Sequence, residues 1–129
     1  MQPEAGSPVD WLRLARSDLA LARVLPQGEI LRETLCFHAQ QAVEKSLKAV
    51  LIDLRVAFPK THSIERLIDL LPDQIPRTPW LMETATLTTY ATAFRYPGEE
   101  DPLTELEYKE ALRLAEVAVS WAEHQISRK

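Results

Sequence analysis

Phe37-His38-Ala39-Gln40-Gln41-Ala42-Val43-Glu44-Lys45-Ser46-Leu47-Lys48-Ala49-Val50-Leu51 is the stretch that decides the fold. It lies in the longest part of the chain without proline or glycine. At about 100° per residue, Leu35, Ala39, Ala42, Val43, Ser46, Leu47, Val50 and Leu54 fall on one broad arc. His38, Gln41, Lys45, Lys48 and Arg55 fall together on the other side. The spacing predicts one helix over 30–55, apolar on one face and polar-basic on the other. Gln40 sits near the edge of the apolar arc. A partly buried amide there needs a partner across a helix interface or a subunit contact.

Outward from this segment the same periodicity recurs. Towards the N-terminus, Ser7-Pro8 reads as an N-cap followed by proline at the first helical position, where its missing N–H costs nothing. Leu12, Ala15, Leu19 and Ala22 follow at helical steps, and Pro26-Gln27-Gly28 stops the run. This predicts a helix over 8–24, with residues 1–6 expected to be disordered. Beyond Pro59, Thr61 or Ser63 can cap a short helix over 63–71. Thr78-Pro79 repeats the cap-then-proline signature and opens a helix predicted over 79–95, ended by Pro97-Gly98. Thr104 with Glu107 three residues later is a capping-box pattern, opening a last helix over 104–127. No strand-like alternation of useful length appears. The expected architecture is all-α: residues 1–129 form a single up-and-down bundle of about five helices.

Composition narrows the function. The chain has 129 residues, 46% of them hydrophobic, enough for one packed core. Fifteen basic against 19 acidic side chains leave a net charge of −4, which argues against broad coating of nucleic acid by a basic surface. Three glycines allow no glycine-rich phosphate loop, and one cysteine, Cys36, allows no internal disulfide. The apolar runs fall far short of the ~20 residues that a membrane span requires. A cytoplasmic protein without a membrane anchor is expected.

Few residues stand out for chemistry. His38, His62 and His124 carry no paired acidic ligands at metal-binding spacing, so no metal site is expected. Cys36 falls in the apolar arc as an ordinary buried thiol. The polar-basic face of the long helix, His38, Gln41, Lys45, Lys48 and Arg55, suits phosphate or an acidic surface, or is simply a solvated face. Arg95, beside Tyr90 and Tyr96, either complements a helix C-terminus or stacks on and binds a phosphate.

The quoted stretch closely resembles the signature helix of the HEPN family, the higher eukaryotes and prokaryotes nucleotide-binding domain. Thr61-His62-Ser63-Ile64 is similar to that family's short His-Asp/Ser-Leu segment. Tyr90-Ala91-Thr92-Ala93-Phe94-Arg95-Tyr96-Pro97 is similar to its Tyr…Ala-Arg-Tyr-Pro segment, and an alanine-rich helix follows. The resemblance implies a helical bundle that forms a homodimer. It also implies a partner, a minimal nucleotidyltransferase, in a toxin–antitoxin-like pair. Some branches of the family bind nucleotides. Others are metal-independent ribonucleases whose motif is an arginine, four to six residues, then a histidine.

The sequence departs from that motif. After Arg95 come Tyr96-Pro97-Gly98-Glu99-Glu100-Asp101, with no histidine to handle a proton and three acids to repel phosphate. Arg55 and His62 have the motif's spacing, but Pro59 divides them, so they are weak catalytic candidates. The leading expectation is a non-catalytic or weakly catalytic domain, without cofactor, that works with the nucleotidyltransferase and binds a nucleotide, RNA or another phosphate-bearing ligand or acidic partner. The residues expected to do so are His38, Gln41, Lys45, Lys48, Tyr90, Arg95 and Tyr96. A ribonuclease toxin and a ligand-free dimeric interaction module are the alternatives.

Overall fold

Two of the three long helices start on reciprocal side-chain caps. The computed structural model describes residues 6–92 and 103–127. In α1 (Pro8–Ala22), the Asp10 amide donates to Ser7 Oγ at 3.1 Å and the Ser7 amide donates to Asp10 Oδ2 at 3.2 Å. These bonds hold the Asp10 carboxyl below its usual range. In α6 (Glu105–Ser127), Thr104 and Glu107 repeat the arrangement at 3.1 and 3.0 Å. Each box satisfies backbone donors that a helix start leaves without partners.

Between them run α2 (Arg32–Asp53), α3 (Ile64–Asp69), α4 (Pro79–Glu83), a 3₁₀ turn (Thr84–Leu87) and α5 (Thr88–Thr92). No strand occurs among the described residues. The molecule is an all-α bundle. α2 is its axis, in contact with α1, α3, α5, α6 and the 3₁₀ turn. Ala15 and Ala22 of α1, Ala39 and Ala42 of α2, and Ala111, Ala115, Ala118 and Ala122 of α6 are at most 1% exposed. Their small side chains let the three long helices approach closely. Leu12, Leu19, Val43, Leu47, Val50, Leu114 and Val119 fill the spaces between. Phe58, Ile64, Leu67 and Leu81 close the far end.

The element limits differ from the periodicity in instructive places. α2 begins at Arg32 rather than Ile30, since Gly28 (φ 62°) and an Ile30-to-Gln27 backbone bond make a turn there. Its end is a Schellman motif, in which Val56 N–H donates to the Leu51 carbonyl and Arg55 N–H to the Ile52 carbonyl. Arg55 occupies the left-handed position, φ 61°, where glycine is usual.

The single helix predicted over 79–95 is broken. Threonines mark the break: Thr84 Oγ1 donates to the Leu81 carbonyl at 2.5 Å and Thr86 Oγ1 to the Glu83 carbonyl at 2.8 Å. These bonds to the carbonyl three residues back favour the tighter 3₁₀ winding over regular α geometry. The predicted continuation from 93 to 95 lies outside the described residues, as does the acidic turn at 99–101.

α3 stops at Asp69, short of the predicted 71. Its exit is closed by Arg77, whose guanidinium donates to the carbonyls of Ile68, Leu71, Pro72 and Ile75 at 2.6–3.2 Å.

Candidate functional site

α2 does not present the solvated polar-basic face that its spacing predicts. Fourteen of its 22 residues are buried, on every side of the helix. Apart from Ser46, its buried polar side chains join with His38 and Lys45 in two clusters, each built around one carboxylate.

The first carboxylate comes from α1. Asp18, 8% exposed, lies on α1 where that helix packs along α2. His38 Nδ1 lies 2.9 Å from its Oδ1, and the Lys45 ammonium donates to Oδ2 at 2.6 Å. His38 and Lys45 are both only partly exposed. A carboxylate holding two partners in this way fixes the register of α1 on α2.

The second carboxylate is Glu44, on α2 itself. Its side chain is 2% exposed and that of Lys48, one turn on, is 3%. Lys48 Nζ lies 3.1 Å from Oε2 and also 5.2 and 5.9 Å from the ring centroids of Trp11 and Phe58. Buried ammonium groups need such compensation, because desolvation alone costs several kcal/mol per ion. On the other oxygen, Oε1, the Gln40 amide donates at 3.0 Å and His62 Nδ1 approaches to 2.9 Å. The Gln41 amide donates in turn to Gln40 Oε1 at 2.7 Å. Gln40 therefore finds its partners mainly along its own helix, with a long bond of 3.5 Å to the His62 carbonyl across the interface.

Among the described residues, those expected to bind a ligand are engaged in different places. Lys48 and Gln41 point inward; His38 and Lys45 serve Asp18. Tyr90 is half-buried against the core. Arg95 and Tyr96 lie outside the described residues. Arg55 is exposed at the end of α2, and His62 is bound to Glu44 rather than brought to Arg55. Among the described residues no group of three or more His, Cys, Asp or Glu is placed to hold a metal. None of the helices there is long and apolar enough to cross a membrane.

Two surface features had no signal in the periodicity. An open groove of about 480 Å³ between α4 and α6 is lined by Trp80, Val117, Ser120, Trp121 and His124, together with Glu116. It offers no lysine or arginine to a phosphate. The other is the corner where α1 turns into α2. Leu21, Val24 and Ile30, 39–46% exposed, line an apolar recess with Thr34, Leu35 and His38. Leu25 and Leu31, at 66% and 59%, flank it in sequence, and Phe37 packs edge-on against His38 at 5.3 Å. The sequence counted these residues as loop or as helix, and nothing local records which apolar side chains the bundle leaves uncovered.

Comparison with known proteins supplies the context for this arrangement. The HEPN domain family model matches residues 9–125. The crystal structure of TT1696 from Thermus thermophilus is similar at 31% identity, covering 92% of this chain and 97% of that one, with a TM-score of 0.77. The structure of ST0689, an archaeal HEPN homologue, is similar at 28% identity over 95% of this chain and 99% of its own, with a TM-score of 0.73. No curated protein matches the chain.

Proposed function

The chain belongs to the HEPN domain family, and from that premise we propose that it works as a homodimeric interaction module. The partner class that the family implies for it is a minimal nucleotidyltransferase, in a toxin–antitoxin-like pair. One observation carries the reading: the cations of α2 are spent on internal carboxylates while an apolar corner is left uncovered. Lys48 is neutralised by Glu44 and Lys45 by Asp18, so α2 has little charge to offer a phosphate. Leu21, Val24, Leu25, Ile30 and Leu31 are meanwhile exposed around one turn. A second copy related by a two-fold axis covers such a patch with the same patch, as an isologous interface requires.

On this reading a nucleotide or other phosphate-bearing ligand is secondary, and falls to Arg95, Tyr96 and the partly exposed Lys45. The ribonuclease alternative finds less support, because among the described residues no hydrogen bond or ion pair joins Arg55 to His62, and His62 Nδ1 lies against Glu44 instead.

Light scattering at tens of micromolar protein tests the dimer, since standard interfaces hold at that concentration. The expected mass is twice the 14.7 kDa chain. Leu21→Glu combined with Ile30→Glu should return it to the single-chain value. A wild-type protein at single-chain mass overturns the reading.

A further inference from the structure

Among the described residues the cations are spent inside the molecule, with one local exception. Arg16, Arg23, Lys45, Lys48, Lys109 and Arg113 each meet a carboxylate. Arg32 and Arg77 donate to backbone carbonyls, and Arg13 helps to hold the Asp10 carboxyl down. Arg55, Lys60 and Arg66 are exposed, and their side chains make no hydrogen bond or ion pair with another described residue. All three lie on the connection from α2 to α3 and the first turn of α3. Glu65 and Asp69, the acids of α3, close no ion pair with them.

The backbone that carries these cations is tied down along its length. Val56 N–H donates to the Leu51 carbonyl at 2.9 Å, and Phe58 is 1% exposed. His62 Nδ1 lies 2.9 Å from Glu44, and Ile64 N–H donates to Thr88 Oγ1 at 3.1 Å. A partner therefore meets a segment that is already ordered. Arg55 adds an independent sign. It holds φ 61°, where glycine is at ease and arginine is strained. Among the described residues the fold makes no use of its guanidinium, and strain kept without a structural return marks a functional position.

We propose that the α2–α3 connection docks an acidic segment of a partner protein, whose carboxylates pair with Arg55, Lys60 and Arg66. Val56, Ala57 and Pro59 stand partly or fully exposed between the first two cations, so charge alternates with apolar area along the chain. A protein segment with apolar residues among its acids matches both. A nucleic acid matches only the charge. Three cations neutralise few phosphates, and a chain of net charge −4 repels the rest. Phe58, the one phenyl ring of the connection, is buried where no base can stack on it. The site leaves the last turn of α2, about 33 Å along that 22-residue helix from the apolar corner, and is independent of the dimer reading.

Fluorescence anisotropy of the full chain with a labelled peptide of about ten residues, built from aspartate, glutamate and leucine, tests the site. Binding at tens of micromolar is expected, weakening as salt is added, and the peptide with asparagine and glutamine in place of the acids should not bind. Lys60→Glu combined with Arg66→Glu should abolish binding. Arg55→Gly should weaken it about fivefold without lowering the urea midpoint, which separates lost docking from lost folding. Arg23→Gln, the same change of charge at the C-terminal cap of α1, should leave the affinity intact. A wild type that ignores the acidic peptide, variants that bind it equally well, or an RNA oligonucleotide of the same length that binds more tightly refutes the assignment.

Discussion

The Lys48 ammonium lies 3.1 Å from the Glu44 carboxylate, and neither side chain is more than 3% exposed. Pairs of this kind contribute little net stability over an apolar replacement, but breaking one strands the other charge. Lys48→Ala should therefore destabilise the fold by about 3–5 kcal/mol. Lys48→Met together with Glu44→Gln should recover most of that loss. Urea unfolding midpoints of the two variants check the pair.

Arg55 holds a left-handed backbone angle at the exit of α2. A non-glycine residue there carries a steric penalty of about 1–2 kcal/mol, partly offset because glycine loses more entropy on folding. Arg55→Gly should raise stability by roughly 0.5–1 kcal/mol. Arg55→Val, branched at Cβ, should lower it. Thermal melts of both variants decide the sign.

Tyr108 ties α6 to the end of α1, its hydroxyl donating to the Ala22 carbonyl at 2.7 Å. Burial raises this phenol above its ordinary pKa of 10.0. A raised phenol means the folded state favours the proton. The contribution is thus complete below pH 10 and is lost as pH rises through the folded value. Melting temperatures should fall in that alkaline range for the wild type and less steeply for Tyr108→Phe. At neutral pH the variant should cost about 1 kcal/mol, the worth of one such bond.

Ser46 is fully buried, and its hydroxyl has no hydrogen-bond partner among the described residues. Replacing it removes an unsatisfied polar atom and improves helix propensity together. Ser46→Ala should stabilise the protein by about 1 kcal/mol in equilibrium unfolding.

The features legible in the sequence are those whose partners are close along the chain. Ser7 with Asp10 and Thr104 with Glu107 were readable because a capping box is a three-residue event. The long helix was readable because residues 29–58 run without proline or glycine and carry apolar and small side chains at helical steps. The surroundings of its polar side were not. Asp18 meets His38 and Lys45 over separations of 20 and 27 residues, so no local pattern announces the pairing. Glu44 and Lys48 stand at helical spacing in the sequence, but exposed and buried pairs share that spacing. The broken segment after Pro79 escaped for another reason. Apolar periodicity records which side faces the core, and the hydroxyl bonds of Thr84 and Thr86 that accompany the tighter winding leave no mark on it. His62 was singled out for its spacing from Arg55, and the structure gives it Glu44 instead.

Arg77 ends up as the clasp of a proline-punctuated loop, its guanidinium spread over four carbonyls between Ile68 and Ile75. A trypsin-like protease must draw that guanidinium into its own acidic pocket before cutting. It cannot do so while the clasp is closed, although the residue is exposed. Cleavage after Arg77 therefore requires the exit of α3 to open first. When reclosing is fast, the nicking rate follows the population of that opened form rather than of the unfolded chain. Susceptibility at this one bond becomes a natural gauge of how often the short-helix half of the bundle comes apart while the three long helices stay packed.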